Sequence, residues 1–155
     1  VGTISGGSIS WTSPTLMFTA TAYKVWLTRL SDTAAILNYI SATGGDVSGT
    51  ISSYGLTLSG STVTQSAAGS TLTSSIFCDI VRLDSTRAMV SYVTTTNTYL
   101  RVLTYNGASA PTWGTAASLI GSSAFSDRTA AITLVDTDKV VVFYTDPDNT
   151  IPIFI

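Results

Sequence analysis

The chain has 155 residues, of which 45% are hydrophobic and only 10% charged, with a net charge of −2 at pH 7 and no histidine. The lack of histidine removes the commonest general base, the Ser-His triads and histidine metal sites, and the single cysteine, Cys78, excludes an internal disulfide or a multi-cysteine metal centre. Seven basic residues are scattered rather than clustered, so nucleic acid is not an expected partner. Ser and Thr break every apolar stretch well short of the roughly 18 residues of a membrane helix, so membrane insertion is not expected either.

In chain order, the first element is Val1 to Ser13 (VGTISGGSISWTS), which has the form of a strand end, a Gly-Gly turn and a strand carrying Trp11. The opening residues carry no basic stretch ahead of an apolar run, and the first is Val1 rather than Met, as expected of a processed product or a segment of something longer. Strands are then expected at Tyr23 to Leu30 and Ala34 to Ile40 around a Ser31-Asp32 turn, followed by Val47 to Ser52 and Leu56 to Thr64. The same order returns with Phe77 to Leu83, the Asp84-Ser85 turn and Ala88 to Val93. Tyr99 to Tyr105 and Thr112 to Leu119 come next, split by Asn106-Gly107, a strong hairpin dipeptide. It returns again with Thr129 to Val135, the Asp136-Thr137 turn, Lys139 to Thr145 and Thr150 to Ile155.

Aligned without gaps, RLSDTAAILNYI from Arg29, RLDSTRAMVSYV from Arg82 and LVDTDKVVVFYT from Leu134 share one layout. Leu30, Leu83 and Val135 precede the turn, and Tyr39, Tyr92 and Tyr144 close the returning strand, with spacings of 53 and 52 residues. Such a period is near the roughly 50 residues of kelch-type repeats. Within each repeat the first two strands are apolar on both faces, whereas the fourth alternates Ser and Thr with apolar residues. Strands covered near an axis and wet at a rim fit the blades of a β-propeller, whereas a two-sheet sandwich leaves the period unexplained. The expected fold is therefore all-β, three four-stranded antiparallel repeats in a single module over 1–155: blade 1 about 23–66, blade 2 about 76–120, and blade 3 about 128–155 completed by 1–13. Three blades fall below the roughly four of a closed ring, so the chain is read as half of a six-bladed ring or part of a larger propeller. Its expected partners are other copies of itself or further blades.

The stretch Arg82 to Leu103 (RLDSTRAMVSYVTTTNTYLRVL), followed by a Gly turn and a Trp-containing strand, resembles propeller-like repeats of bacteriophage tail and environmental secreted proteins. The resemblance covers essentially the whole chain and implies a fold and an extracellular or virion-surface setting, without a catalytic signature. The first repeat departs from it, with Gly44-Gly45-Asp46 in place of Asn97-Thr98 and Asn149-Thr150, and Ser59 where tryptophan is expected.

No catalytic residue, cofactor or metal is expected. Asp32, Asp84 and Asp136 read as turn formers, and Asp79 lacks a recurring second acid with which to form a glycosidase pair. Asp146-Pro147-Asp148-Asn149 offers oxygens to calcium but reads better as a proline turn, and Cys78 reads as an inert core residue. Tyr39, Tyr92 and Tyr144, with Trp11 and Trp113, are expected to pack between blades; the alternative is ligand binding for the tyrosines and sugar stacking for the two tryptophans. Trp26 has no counterpart, since Asp79 and Ala131 hold the equivalent positions, which makes it a candidate for local function or local gap filling. Loops after the second strands, Ser41 to Asp46, Thr94 to Thr98 and Thr145 to Asn149, should emerge on one face with the linking segments Pro14 to Ala22, Gln65 to Ser75 and Ile120 to Arg128. Trp26, Asp46, Asn97, Asp148 and Asn149 are the ligand-binding candidates on that reading. The expected function is a non-enzymatic binding or display module for a glycan or host surface, the alternative being a structural subunit of a phage tail, capsid or extracellular filament.

Overall fold

The computed structural model describes residues 1–11, 22–41, 49–94, 96–120, 130–146 and 149–154. Their Thr-, Val-, Ile- and Tyr-rich segments suit a pleated backbone better than a helix, and among the described residues there are antiparallel strands and no helix. None of the sheets closes on itself.

β1 (Gly2–Ser5) and β2 (Ser8–Trp11) pair across Gly6-Gly7, where both residues take positive φ, 55° and 82°, a conformation that glycine tolerates. The first repeat comprises β3 (Lys24–Arg29), β4 (Ala34–Ser41), β5 (Gly49–Ser59) and β6 (Thr62–Ala68). The second comprises β7 (Leu72–Arg82), β8 (Arg87–Thr94) and β9 (Thr98–Thr104), with β10 (Thr112–Trp113) and β11 (Ala117–Ile120) both paired to β9. The third comprises β12 (Ala130–Asp136), β13 (Lys139–Asp146) and β14 (Asn149–Phe154).

The repeat read from the three tyrosines is a repeat of register. Val25 faces Tyr39, Cys78 faces Tyr92 and Ala130 faces Tyr144 in the three leading hairpins. The first two turns even share their backbone bonds: Leu30 and Ser31 N–H donate to Ala34 O, and Leu83 and Asp84 N–H donate to Arg87 O. The third closes more tightly, with Asp136 opposite Lys139.

Three features depart from the expected layout. The stretch Leu56 to Thr64 is not one strand, because Gly60, at φ 57°, turns the chain between β5 and β6. The supposed link Gln65 to Ser75 is correspondingly strand on both sides, leaving only Gly69 to Thr71 between β6 and β7. The first two repeats are also not separate sheets: Gly49 and Ile51 of β5 pair with Ser75 and Leu72 of β7, joining both repeats into one nine-stranded sheet. A register shift marks that junction, and Ser74 there sits at φ 59°. Finally, the expected completion of the third repeat by residues 1–13 has no ladder among the described residues; β1 and β2 form their own sheet, and β12, β13 and β14 form another.

Each repeat has two faces, fixed by the period-2 alternation of a strand. On β3, Val25, Leu27 and Arg29 point to one side, here the front, while Lys24, Trp26 and Thr28 point to the back. The back of repeat 1 (Ile36, Ile40, Ile51 and Leu30) packs against the front of repeat 2 (Cys78, Ala88, Val90, Tyr92, Leu103 and Tyr105) in one core. The back of repeat 2 (Val93 with Phe77, Val81, Met89 and Leu100) packs against the front of repeat 3 (Ala130, Ile132 and Val142) in a second. The three repeats are thus stacked in the same sense, back to front.

Candidate functional site

Glycine and aromatic chemistry set the closeness of the first interface. Gly55 carries no side chain, and the Tyr105 ring occupies the space where a Cβ would lie. Tyr105 is buried to 3% exposure, and its hydroxyl lies 2.8 Å from Thr57 Oγ1, which in turn donates to Gly107 O at 3.1 Å. At the outer side of the same interface, Trp113 Nε1 donates to Ser70 O at 2.7 Å. The second interface is pinned by Asp79: its Oδ1 accepts from Ile80 N–H at 2.9 Å and its Oδ2 from Ile132 N–H at 3.0 Å, bridging β7 to β12.

The other described carboxylates hold turns or cations. Asp84 Oδ1 accepts from Thr86 N, Thr86 Oγ1 and Arg87 N at 2.8, 3.0 and 2.8 Å, and its Oδ2 accepts from Arg87 Nε at 2.6 Å. The Thr86 amide and the Arg87 guanidinium, in that order, hold its carboxyl down at about 2. Asp136 is lowered in the same way by the Thr137 amide and Lys139. Asp32 pairs with Arg29, and Asp138 with Lys139. Cys78 lies in the core as expected, and burial, then the Asp79 charge, push its thiol above its usual range.

The end at which β4 and β8 finish carries Trp26 and Asn97, the two expected ligand-binding residues whose side chains are described. β3 begins there, and Lys24 Nζ donates to Ile76 O at 3.3 Å while lying 5.3 Å from the Tyr23 ring centroid and 5.8 Å from that of Phe77. Trp26 is partly buried and meets Phe77 edge-on, with centroids 5.4 Å apart at 80°, so it fills the gap between repeats 1 and 2. Phe77 pairs with Val93, next to the turn that holds Asn97. That turn is tied by Thr94 Oγ1, which accepts from Asn97 N–H at 3.0 Å, while Asn97 Nδ2 donates to Tyr99 Oη at 2.7 Å. Tyr99 stacks on Tyr92 with centroids 5.2 Å apart, and Tyr39 stacks on Tyr54 at 5.9 Å. Tyr39 and Tyr92 are buried at 5% and 6% exposure. Burial comes first in raising the pKa of Tyr92. Tyr144, Trp11 and Asn149 take strand positions opposite Ile153, Gly2 and Asp146. Asp46 and Asp148 lie outside the described residues, as do most of the loop Ser41 to Asp46 and the linking segments Pro14 to Ala22 and Ile120 to Arg128.

Sequence reading did not anticipate a cleft of about 250 Å³ on the front of repeat 1, lined by Val1, Leu27, Ala35, Leu56, Leu58 and Val63. Arg29, Ser31 and Asp32 of the first turn form its rim. The available signal was the alternation of Leu27, Leu56 and Leu58, which puts all three on one face once the pairing is known. Among the described residues, no group of three or more acidic or cysteine side chains is placed to hold a metal. No helix of the described residues is long and apolar enough to cross a membrane. No family model matches the chain, and neither a curated protein nor a solved structure matches it.

Proposed function

We propose that the chain is a non-enzymatic binding or display module whose repeats are propeller blades, and that it recognises a glycan or host surface at its loop-bearing end, on a virion or outside the cell. The observation that carries this reading is the use of the carboxylates. Asp32, Asp79, Asp84, Asp136 and Asp138, the acids whose side chains are described, all hold turns, backbone amides or neighbouring cations. Such acids build a scaffold; none is poised as a proton donor facing a base. The back-to-front stacking and the shared hairpin register support blades, since blades meet neighbours in one sense around an axis. At the loop-bearing end, Tyr23, half exposed, supplies an apolar ring face of the kind sugar binding uses, and Asn97, partly buried with its Nδ2 held on Tyr99 Oη, is the hydrogen-bonding candidate.

Glycan-array binding of the full chain tests the reading. At least one glycan class should bind, and Asn97→Ala should weaken it about tenfold with the circular dichroism unchanged. Array-wide silence of a folded protein overturns glycan recognition. A structural role through protein contacts alone is then the better account, and exposed Val25 and Leu27 on β3 favour that second reading.

A further inference from the structure

Among the described residues, the β3 edge of the front of repeat 1 and the β12 edge of the back of repeat 3 are exposed parts of the same two faces that mate inside the stack. On the front of repeat 1, Leu37 and Tyr39 of β4 are buried at 9% and 5%, but Val25 and Leu27 along the β3 edge are 54% and 62% exposed, whereas their register equivalents are covered, Cys78 fully and Ile80 partly in repeat 2, and Ala130 and Ile132 in repeat 3. On the back, the order is reversed. Leu30 of repeat 1 is 0% exposed, Leu83 of repeat 2 is intermediate, and Val135 of repeat 3 is 59% exposed. Ala131 and Thr133, on the same side of β12 as Val135, are exposed too.

The interior interface shows what each outer face fits. Leu30 shares a core with Ala88 and Leu103, which face each other across β8 and β9. In repeat 1 the equivalent cross-strand pair is Ala35 and Leu56, and these two line the open cleft. The cleft on repeat 1 is therefore the counterpart of the seat that Leu30 fills on repeat 2, and Val135 is the counterpart of Leu30.

We propose that a second copy of this chain docks on the front of repeat 1 through the back of its repeat 3, with its Val135 entering the cleft formed by Leu27, Ala35 and Leu56. The contact is heterologous, so it propagates: if the rotation closes, copies form a ring, and if not, an open stack. Two copies of three repeats make a six-bladed ring, within the size range of closed propellers. The inference does not rest on glycan recognition; it needs only the repeat equivalence of the faces.

Light scattering coupled to size exclusion tests it with the whole 155-residue chain. The wild type should elute at a multiple of 16.2 kDa, either one discrete mass for a ring or a concentration-dependent series for an open stack. Leu27→Asp and Val135→Asp place a charge in the apolar contact, and each should weaken association at least about tenfold. Mixing the two variants restores one clean contact, because one retains an intact front and the other an intact back, so the mixture should form pairs that neither variant forms alone. Leu27→Ser and Val135→Ser repeat the test if an Asp variant loses its circular dichroism. A wild-type monomer at tens of micromolar overturns the proposal, as do oligomers indifferent to both substitutions. A mixture that stays monomeric also overturns it, because the intact front of one variant and the intact back of the other then fail to meet; self-association of either variant alone would instead point to contact between like faces.

Discussion

Gly55→Ala is the sharpest probe of the stack, because Gly55 and Tyr105 are 50 residues apart in sequence and meet only if repeat 1 lies on repeat 2. A methyl at Gly55 would overlap three atoms of the Tyr105 ring. Retreat of the ring is blocked, since Tyr105 is 3% exposed and its core neighbours Leu103 and Ile36 are both at 0%. Overpacking of this kind costs about 1–3 kcal/mol, and displacing the Tyr105 hydroxyl from Thr57 removes a hydrogen bond worth about 1 kcal/mol. The expected loss is about 2–4 kcal/mol, which lowers a urea midpoint by roughly 1–2 M, followed by tryptophan fluorescence. Tyr105→Leu in the same chain makes room for the methyl, so the double variant should be less destabilised than the sum of the singles by about 1–2 kcal/mol. Gly55→Ala within about 0.5 kcal/mol of wild type, or strictly additive costs, would refute the packing of these two repeats.

The Asp84 turn and the Asp79 bridge give two further expectations. Asp84→Ala should destabilise by about 1–2 kcal/mol, discounted for exposure, as the carboxylate's bonds to Thr86 and Arg87 are lost. Because the folded pKa is depressed to about 2, the stabilisation is complete above the ordinary carboxylate range and disappears as pH falls from about 4 toward 2. Asp84→Ala should accordingly flatten the stability profile across that acid window, as read by thermal melts. Asp79→Asn leaves only one acceptor oxygen for two amides, and should cost about 1–3 kcal/mol while speeding hydrogen exchange at Ile132. Unchanged exchange at Ile132 would place that amide elsewhere.

Local chemistry made much of this fold legible. The three leading hairpins follow from apolar runs around Asp- and Ser-containing turns, and the period of Tyr39, Tyr92 and Tyr144 carries their shared register. What escaped is non-local or masked by composition. Ser59-Gly60-Ser61-Thr62 continues the Ser/Thr alternation of a strand, so the turn at Gly60 leaves only a glycine as its signal. The ladder from β5 to β7 depends on two strand ends meeting across the link, which no spacing encodes. The cleft on repeat 1 is equally invisible, since Leu56 and Leu58 read as ordinary strand residues until their side chains are seen to line it. Trp26 is half explained by its failure to repeat: it and Asp79 occupy one repeat position, and both reach the next repeat, one through a ring and the other through a carboxylate.

The backbone ladder between Gly49 or Ile51 and Ser75 or Leu72 divides the molecule unequally. Repeats 1 and 2 share main-chain bonds, so neither can swing away without breaking sheet. Repeat 3 shares no ladder with repeat 2 among the described residues and meets it through side-chain packing and the Asp79 bond. Local opening follows the weaker seam. Repeat 3 is therefore expected to lose its amide protection before the two repeats that share the sheet, as native-state hydrogen exchange would read.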